Sequence, residues 1–226
     1  MLKKFLRKIA FSIPSSYFLM FHHVTGDPAV KRSGCLINTE KFVNFLSSHH
    51  VYRSIDDVIG KPSKKGIVVT FDDGLLDLYT VAYPCLKLMN IPFAAFIVTD
   101  FLGQAGYITK NQLLELSNDP LVTIGSHGVT HSTLTKVSFS AKKNEILESK
   151  KILEDLTGRE VRYFAYSHGQ YDTDVLNLAK VYNSAFSTAE RPFNIMTCRN
   201  LFAIPRFNID SNTIERQISF FDNVKF

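Results

Sequence analysis

Four short stretches of this chain carry side chains able to do acid, base or metal chemistry: Phe21-His22-His23-Val24, Phe71-Asp72-Asp73-Gly74, Ser126 to His131, and Ser167-His168-Gly169. Two adjacent carboxylates after an apolar run are costly to bring together unless a cation neutralises them or one takes a proton. Side chains alternate along an extended chain, so Asp72 and Asp73 should point in different directions. That suits a division of labour in which one binds metal and the other acts as base. The blander alternative is that one of them caps a helix after Gly74, since Asp-Gly is common in turns. His127 and His131, four residues apart in a loop containing Gly128, can meet one divalent ion. Two imidazoles and one carboxylate make a frequent catalytic set that leaves positions open for water, and zinc suits these ligands best.

Each stretch follows an apolar run of strand length. The strand candidates are residues 19–24, IVVTF (67–71), PFAAFIV (92–98), LVTIGS (121–126) and VRYFAYS (161–167), with a short one at 51–53. Helix-like stretches lie near 39–49, 79–89, 109–117 and 138–156. The last is the clearest, because Phe139, Ile146, Leu147, Leu153 and Leu156 recur at three- and four-residue steps and Gly158 stands at a C-cap position. Continuous apolar strands imply burial on both faces, hence a parallel sheet with helices outside, as a barrel or a doubly wound sheet. In such folds ligands bind beyond the carboxyl ends of the strands, where the four polar stretches fall.

The bulk properties agree with one domain and limit the partners. Of the 226 residues, 45% are apolar and 21% charged, which excludes a disordered chain. The net charge of +5 is scattered, with no nucleic-acid-binding motif, so no nucleic-acid partner is expected. Cys35, Cys85 and Cys198 are far apart and read as reduced core thiols. Residues 1–17 read as a basic amphipathic segment, with Lys3, Lys4, Arg7 and Lys8 beside Leu2, Phe5, Leu6 and Ile9. It either touches a membrane surface or packs on the domain that follows from residue 18 to 226. With no signal-peptide cleavage pattern, the expected location is cytoplasmic, with membrane association as the alternative in which that segment meets a membrane surface.

Thr70-Phe71-Asp72-Asp73-Gly74 followed about fifty residues later by Ser126-His127-Gly128-Val129-Thr130-His131 resembles the polysaccharide deacetylases, carbohydrate esterase family 4 with its NodB-type domain. The resemblance runs from about Phe18 to Asp210. It implies a distorted (β/α) barrel, often of seven parallel strands with outer helices, and metal-dependent removal of acyl groups from sugars. Carried over by position, Asp73, His127 and His131 look like the metal ligands and Asp72 like the general base. Zn2+ is the implied ion, with Co2+ or Ni2+ as alternatives. The implied reaction removes an N-acetyl group from an amino sugar in a glycan or glycan precursor. Deformylation, O-deacetylation of a lipid- or nucleotide-linked sugar, and sugar binding with weak catalysis are the other readings.

The departures from the family pattern are informative. Its third motif, near F-R-x-P-Y-G, is represented by Phe164-Ala165-Tyr166-Ser167-His168-Gly169. Tyr166, Ser167 and Gly169 are the expected substrate-binding positions, and the His168 backbone N–H is the expected oxyanion donor. The motif arginine that steadies the base is missing. Arg206, in Ile204-Pro205-Arg206-Phe207, is the candidate replacement, against the alternative of a surface arginine beside a proline turn. No histidine follows His168, so the family's late acid is absent too. Phe21-His22-His23-Val24 looks like the Tyr-His pair of exopolysaccharide deacetylases. His22 is the candidate general acid, with His168 as competitor and His23 expected to face away.

Overall fold

The computed structural model describes residues 15–26, 35–47, 51–61 and 64–214, with Phe220. The amphipathic reading of the N-terminal segment falls on residues 1–14, outside the described ones. Among those described, the strands are β1 (Tyr17–Phe21), β2 (His23–Val24), β3 (Leu36–Ile37), β4 (Ile67–Phe71), β5 (Phe93–Ile97), β6 (Val122–Ser126), β7 (Tyr163–Ala165), β8 (Ser184–Phe186) and β9 (Phe207–Asn208). Seven of them form one parallel sheet in the order β8-β7-β6-β5-β4-β1-β9. Ile204 bridges in parallel to Phe186 of β8, while Phe207 and Asn208 pair with β1. The segment 204–208 therefore touches both edges of the curled sheet and joins them into a distorted barrel, as expected. β2 and β3 make a separate parallel pair at the rim.

β1, β4 and β5 are buried at all five positions, which is why they read as unbroken apolar runs. The two-residue period of each strand divides the core in two. Leu19, Val69, Ala95 and Phe164 join the outer cluster against the helices, whereas Phe18, Val68, Phe96, Ala165 and Phe186 form the inner one. The inner face of β4 continues upward as Val68, Thr70 and then Asp72, so alternation alone aims Asp72 along the barrel axis. Asp73 is turned elsewhere.

Helices cover the outside at 39–47, 55–60, 83–88, 110–118, 139–143, 149–157 and 173–178. Thr109 caps its helix reciprocally with Gln112, and Gly158 ends another at φ 64°, donating its N–H to the Glu154 carbonyl. Several expectations need correction. The strand predicted at 19–24 breaks at His22 into β1 and β2, and 51–53 contributes only a bridge from Tyr52 to Ile67. The 138–156 helix contains a π turn at Asn144–Glu148, and Phe139 is exposed. The cysteines are free, as expected, but only half-buried. No helix among the described residues is long and apolar enough to cross a membrane.

Candidate active site

Asp72 is buried directly beyond β4, where a lone carboxylate would be costly. Arg206 answers that cost. Its two terminal nitrogens donate to the two Asp72 oxygens, Nη1 to Oδ1 at 2.6 Å and Nη2 to Oδ2 at 2.7 Å. Nη1 also donates to Thr70 Oγ1 at 3.2 Å, and Nε to the Ser187 carbonyl at 3.4 Å. The guanidinium lies 5.2 Å from the Phe96 ring centre and 6.0 Å from that of Phe186, so the aromatic floor of the barrel supports it. Arg206 is 0% exposed, which decides against the surface-arginine alternative. Burial pushes the Asp72 carboxyl up, but Arg206, His127 and His22 outweigh it and hold the group well below the usual carboxylate range.

Asp73 takes φ 73° and points away from that pair, toward two imidazoles. Its Oδ1 lies 3.5 Å from His127 Nε2 and 3.4 Å from His131 Nε2. Donor atoms of Asp73, His127 and His131 all lie within 4.8 Å of one another. The His127 Nδ1 is 2.8 Å from the Ala165 carbonyl, so Nδ1 carries the hydrogen and Nε2 keeps a lone pair for a ligand. Asp73 Oδ1 is buried with no hydrogen-bond partner. An orphaned carboxylate oxygen facing two imidazole nitrogens fits a divalent cation, and the three side chains are the donor set for it. Burial and the neighbouring His127 and His168 lower the His131 pKa to about 4, which keeps that ring neutral and able to ligate.

The remaining predicted residues surround this pair of carboxylates unevenly. His22 follows β1, with Asp72, Asp73, His127 and Arg206 as electrostatic neighbours. Its Nδ1 is buried without a partner, and burial lowers its pKa. His23 faces away, as alternation suggested. Its Nδ1 is 2.8 Å from Asp77 Oδ2, a contact that raises its pKa. His168 is exposed at φ 58°, with its ring centre 4.6 Å from that of His131.

Two substrate-facing expectations fail. Tyr166 is 0% exposed and its hydroxyl donates to the Phe202 carbonyl, so its side chain belongs to the core. Ser167 is buried and donates to the His127 carbonyl at 3.1 Å, which makes it a brace for the ligand loop. Gly169 stays on the loop at φ 68°, close against Thr188. Among the described residues only four non-glycines have positive φ, and Asp73, His131 and His168 are three of them. Such backbone is uncommon outside glycine and clusters where a side chain must be aimed.

Sequence reasoning missed Glu145. It is buried, and its carboxylate accepts from the N–H groups of Val129 at 2.7 Å and Thr130 at 3.0 Å, between the two histidines. A glutamate within an amphipathic helix reads as a solvent-facing residue, so only its neighbour Ile146 hinted at burial.

Comparison with known proteins bears on the family and the fold. A family model described as polysaccharide deacetylase matches residues 59–186. The chain is 26% identical over 149 residues to YxkH of Bacillus subtilis, whose name places it among polysaccharide deacetylases. It is also 26% identical over 178 residues to a poly-beta-1,6-N-acetyl-D-glucosamine N-deacetylase of Staphylococcus aureus. Those matches cover 66% and 72% of this chain but only 53% and 61% of the relatives, so the chain spans little more than half of their length. Among solved structures, the Streptococcus pyogenes deacetylase PplD, determined with acetate, superposes with a TM-score of 0.81 at 23% identity over 91% of this chain and 97% of that one. IcaB from Ammonifex degensii superposes with a TM-score of 0.76 at 19% identity, over 92% and 97%. These two likenesses are of fold.

Proposed function

The chain belongs to the polysaccharide deacetylase family, and on that premise we propose that it hydrolyses the N-acetyl group of an amino sugar in a glycan or glycan precursor, with Asp72 as base. The observation that carries this reading is the side-by-side arrangement of an Asp73–His127–His131 donor set and a buried, arginine-held Asp72. The S. aureus relative's named substrate, a β-1,6-linked N-acetylglucosamine polymer, supports an amino sugar as the substrate class.

Held by Asp73, His127 and His131, a divalent cation, Zn2+ by the character of these ligands, would polarise the acetamide carbonyl and make a water acidic. Asp72 is placed to take that water's proton. Arg206 occupies both carboxylate oxygens, but each keeps a further lone pair, and His127 Nε2 stands 3.7 Å from Oδ2. The same fork keeps Asp72 ionised through the working pH range, so the base is always ready though individually weak. On collapse of the tetrahedral intermediate, the leaving amine needs a proton. His22 is the proposed donor, because its Nδ1 is buried without a hydrogen-bond partner and the charges of Asp72, Asp73 and His127 act on its ring. Burial lowers the His22 pKa, so the proton it gives to the amine has to be delivered during the reaction, and the proton that Asp72 takes from the attacking water balances the step when it passes to His22. The His168 backbone N–H is the proposed oxyanion donor, and the His168 backbone is held at φ 58°.

The test is release of acetate and free amine from N-acetylglucosamine oligomers, with Zn2+ added and after chelation. Stoichiometric metal binding without release from any N-acetylated sugar would overturn the catalytic reading.

A further inference from the structure

Resting on the metal-site reading above, we propose that Glu145 is a positioning residue for the ligands. Its buried carboxylate fixes the Gly128–Thr130 loop and thereby sets the approach of His131 to Asp73. The contacts are specific. Oε2 accepts from Val129 N and Thr130 N, while Oε1 accepts from the Thr130 hydroxyl at 2.5 Å and again from Thr130 N at 3.3 Å. Among the described residues no basic side chain lies within ion-pair distance of it. A buried carboxylate that meets only backbone N–H groups and a hydroxyl is expensive filler, and an apolar side chain would occupy the space at lower cost. What the carboxylate supplies is acceptors for three donors, Val129 N, Thr130 N and the Thr130 hydroxyl, on two of the three residues that separate the two ligands.

The surroundings are arranged to let it in. A β-carbon on Gly128, at φ 89°, would stand 2.7 Å from Glu145 Oε2, so only glycine leaves room for the carboxylate. The π turn at Asn144–Glu148 buries Glu145 together with Ile146, and such turns recur at functional sites. Its loosened carbonyls are taken up locally. Ser149 Oγ donates to the Glu145 carbonyl at 2.6 Å and Tyr182 Oη to that of Ile146 at 2.8 Å. Ser126 Oγ then donates to Ser149 Oγ at 2.7 Å and accepts from Gly128 N at 3.3 Å, tying the same helix to the start of the ligand loop. The formal charges of Asp72, Asp73, Glu145 and Arg206 sum to two negative, which a dication would cancel.

The experiment titrates Co2+ into the metal-stripped full chain by calorimetry and records the melting temperature of the stripped protein. Wild type, Glu145→Gln, Thr130→Val and Tyr182→Phe are compared. Glutamine preserves the shape but turns an N–H₂ toward the Thr130 donors, so Glu145→Gln should bind Co2+ about 10–100-fold more weakly, the range seen when partners of metal ligands are lost. Thr130→Val keeps the carboxylate and removes one donor, so its loss should be roughly fivefold. Tyr182→Phe loosens the same π turn without touching the loop and should lower the melting temperature while costing clearly less Co2+ affinity than Glu145→Gln. Wild-type affinity in Glu145→Gln, or an equal loss of affinity in Tyr182→Phe, overturns the proposal and leaves the metal-site reading standing. If Glu145→Gln does not fold, Thr130→Val decides: unchanged affinity there overturns it. A wild-type chain that binds no Co2+ overturns both readings together.

Discussion

On the side of the site built by β4, β6 and β7, Asp72, His127 and the loop that carries His131 are each held by a second group, with Asp73 Oδ1 left open between the imidazoles; on the rim formed by His22, His23 and His168, only His23 is held. Asp72 lies in the Arg206 fork, His127 is fixed through Nδ1 to Ala165, and the loop to His131 is held by Glu145 and Ser167. Across the mouth, His22 Nδ1 is buried without a partner, His168 is exposed, and His23 is engaged with Asp77 instead. Metal and base positions are thus preformed. His22, the proposed proton donor, has no fixed partner at Nδ1, which suits a group that must change partners during turnover.

That contrast predicts a graded set of losses. Asp72→Asn should reduce kcat/KM on N-acetylglucosamine oligomers by about 10²–10⁴-fold, the usual contribution of a general base, while Co2+ affinity is retained. Equal activity in the variant would remove Asp72 from the mechanism. Next, Arg206→Met leaves Asp72 charged and unpaired in the barrel. Denaturant unfolding should show a loss of about 3–5 kcal/mol, the scale for breaking a buried ion pair from one side. A loss below 1 kcal/mol would mean the fork contributes little. His22→Asn should lower the rate on amide substrates by about 10²-fold with little change in melting temperature, because no hydrogen bond holds its Nδ1. His168→Asn should cost clearly less, and the reverse order would move the acid to the third-motif loop.

The smallest effect concerns acid stability. Asp72 has a pKa lower in the folded chain than in the unfolded one, so its contribution is complete above the unfolded carboxyl value of about 3.9. It disappears only as pH falls through the still lower folded value. Stability curves of wild type and Asp72→Asn should therefore run parallel above about pH 4 and converge below it. Convergence already at pH 5 to 6 would show that Arg206 does not hold the carboxyl down.

Much of the preformed side was legible in the sequence, and the reasons are local. Unbroken apolar runs marked β4, β5 and β6 nearly to the residue, and alternation at their ends separated Asp72 from Asp73. Arg206 could be named but not decided, because its partner lies 134 positions away and the choice depends on segment 204–208 joining the sheet edges. β8 and β9, three and two residues long, are too short to show a period. Tyr166 was misassigned because a tyrosine in a motif loop resembles a sugar contact, whereas its hydroxyl ends on the Phe202 carbonyl. Glu145 was hidden by the π turn, which shifts the helical phase and brings an apparently polar-face glutamate inward.

The central claim is that one divalent cation beside Asp72 enables this chain to deacetylate an amino sugar. It is tested most directly by measuring acetate released from N-acetylglucosamine oligomers by metal-stripped protein as Zn2+ is titrated back, with Asp73→Asn measured in parallel. The account predicts that release rises with Zn2+ and saturates at one equivalent in the wild type, and stays at background in Asp73→Asn. Release that is independent of added metal, or that persists undiminished in Asp73→Asn, would contradict it.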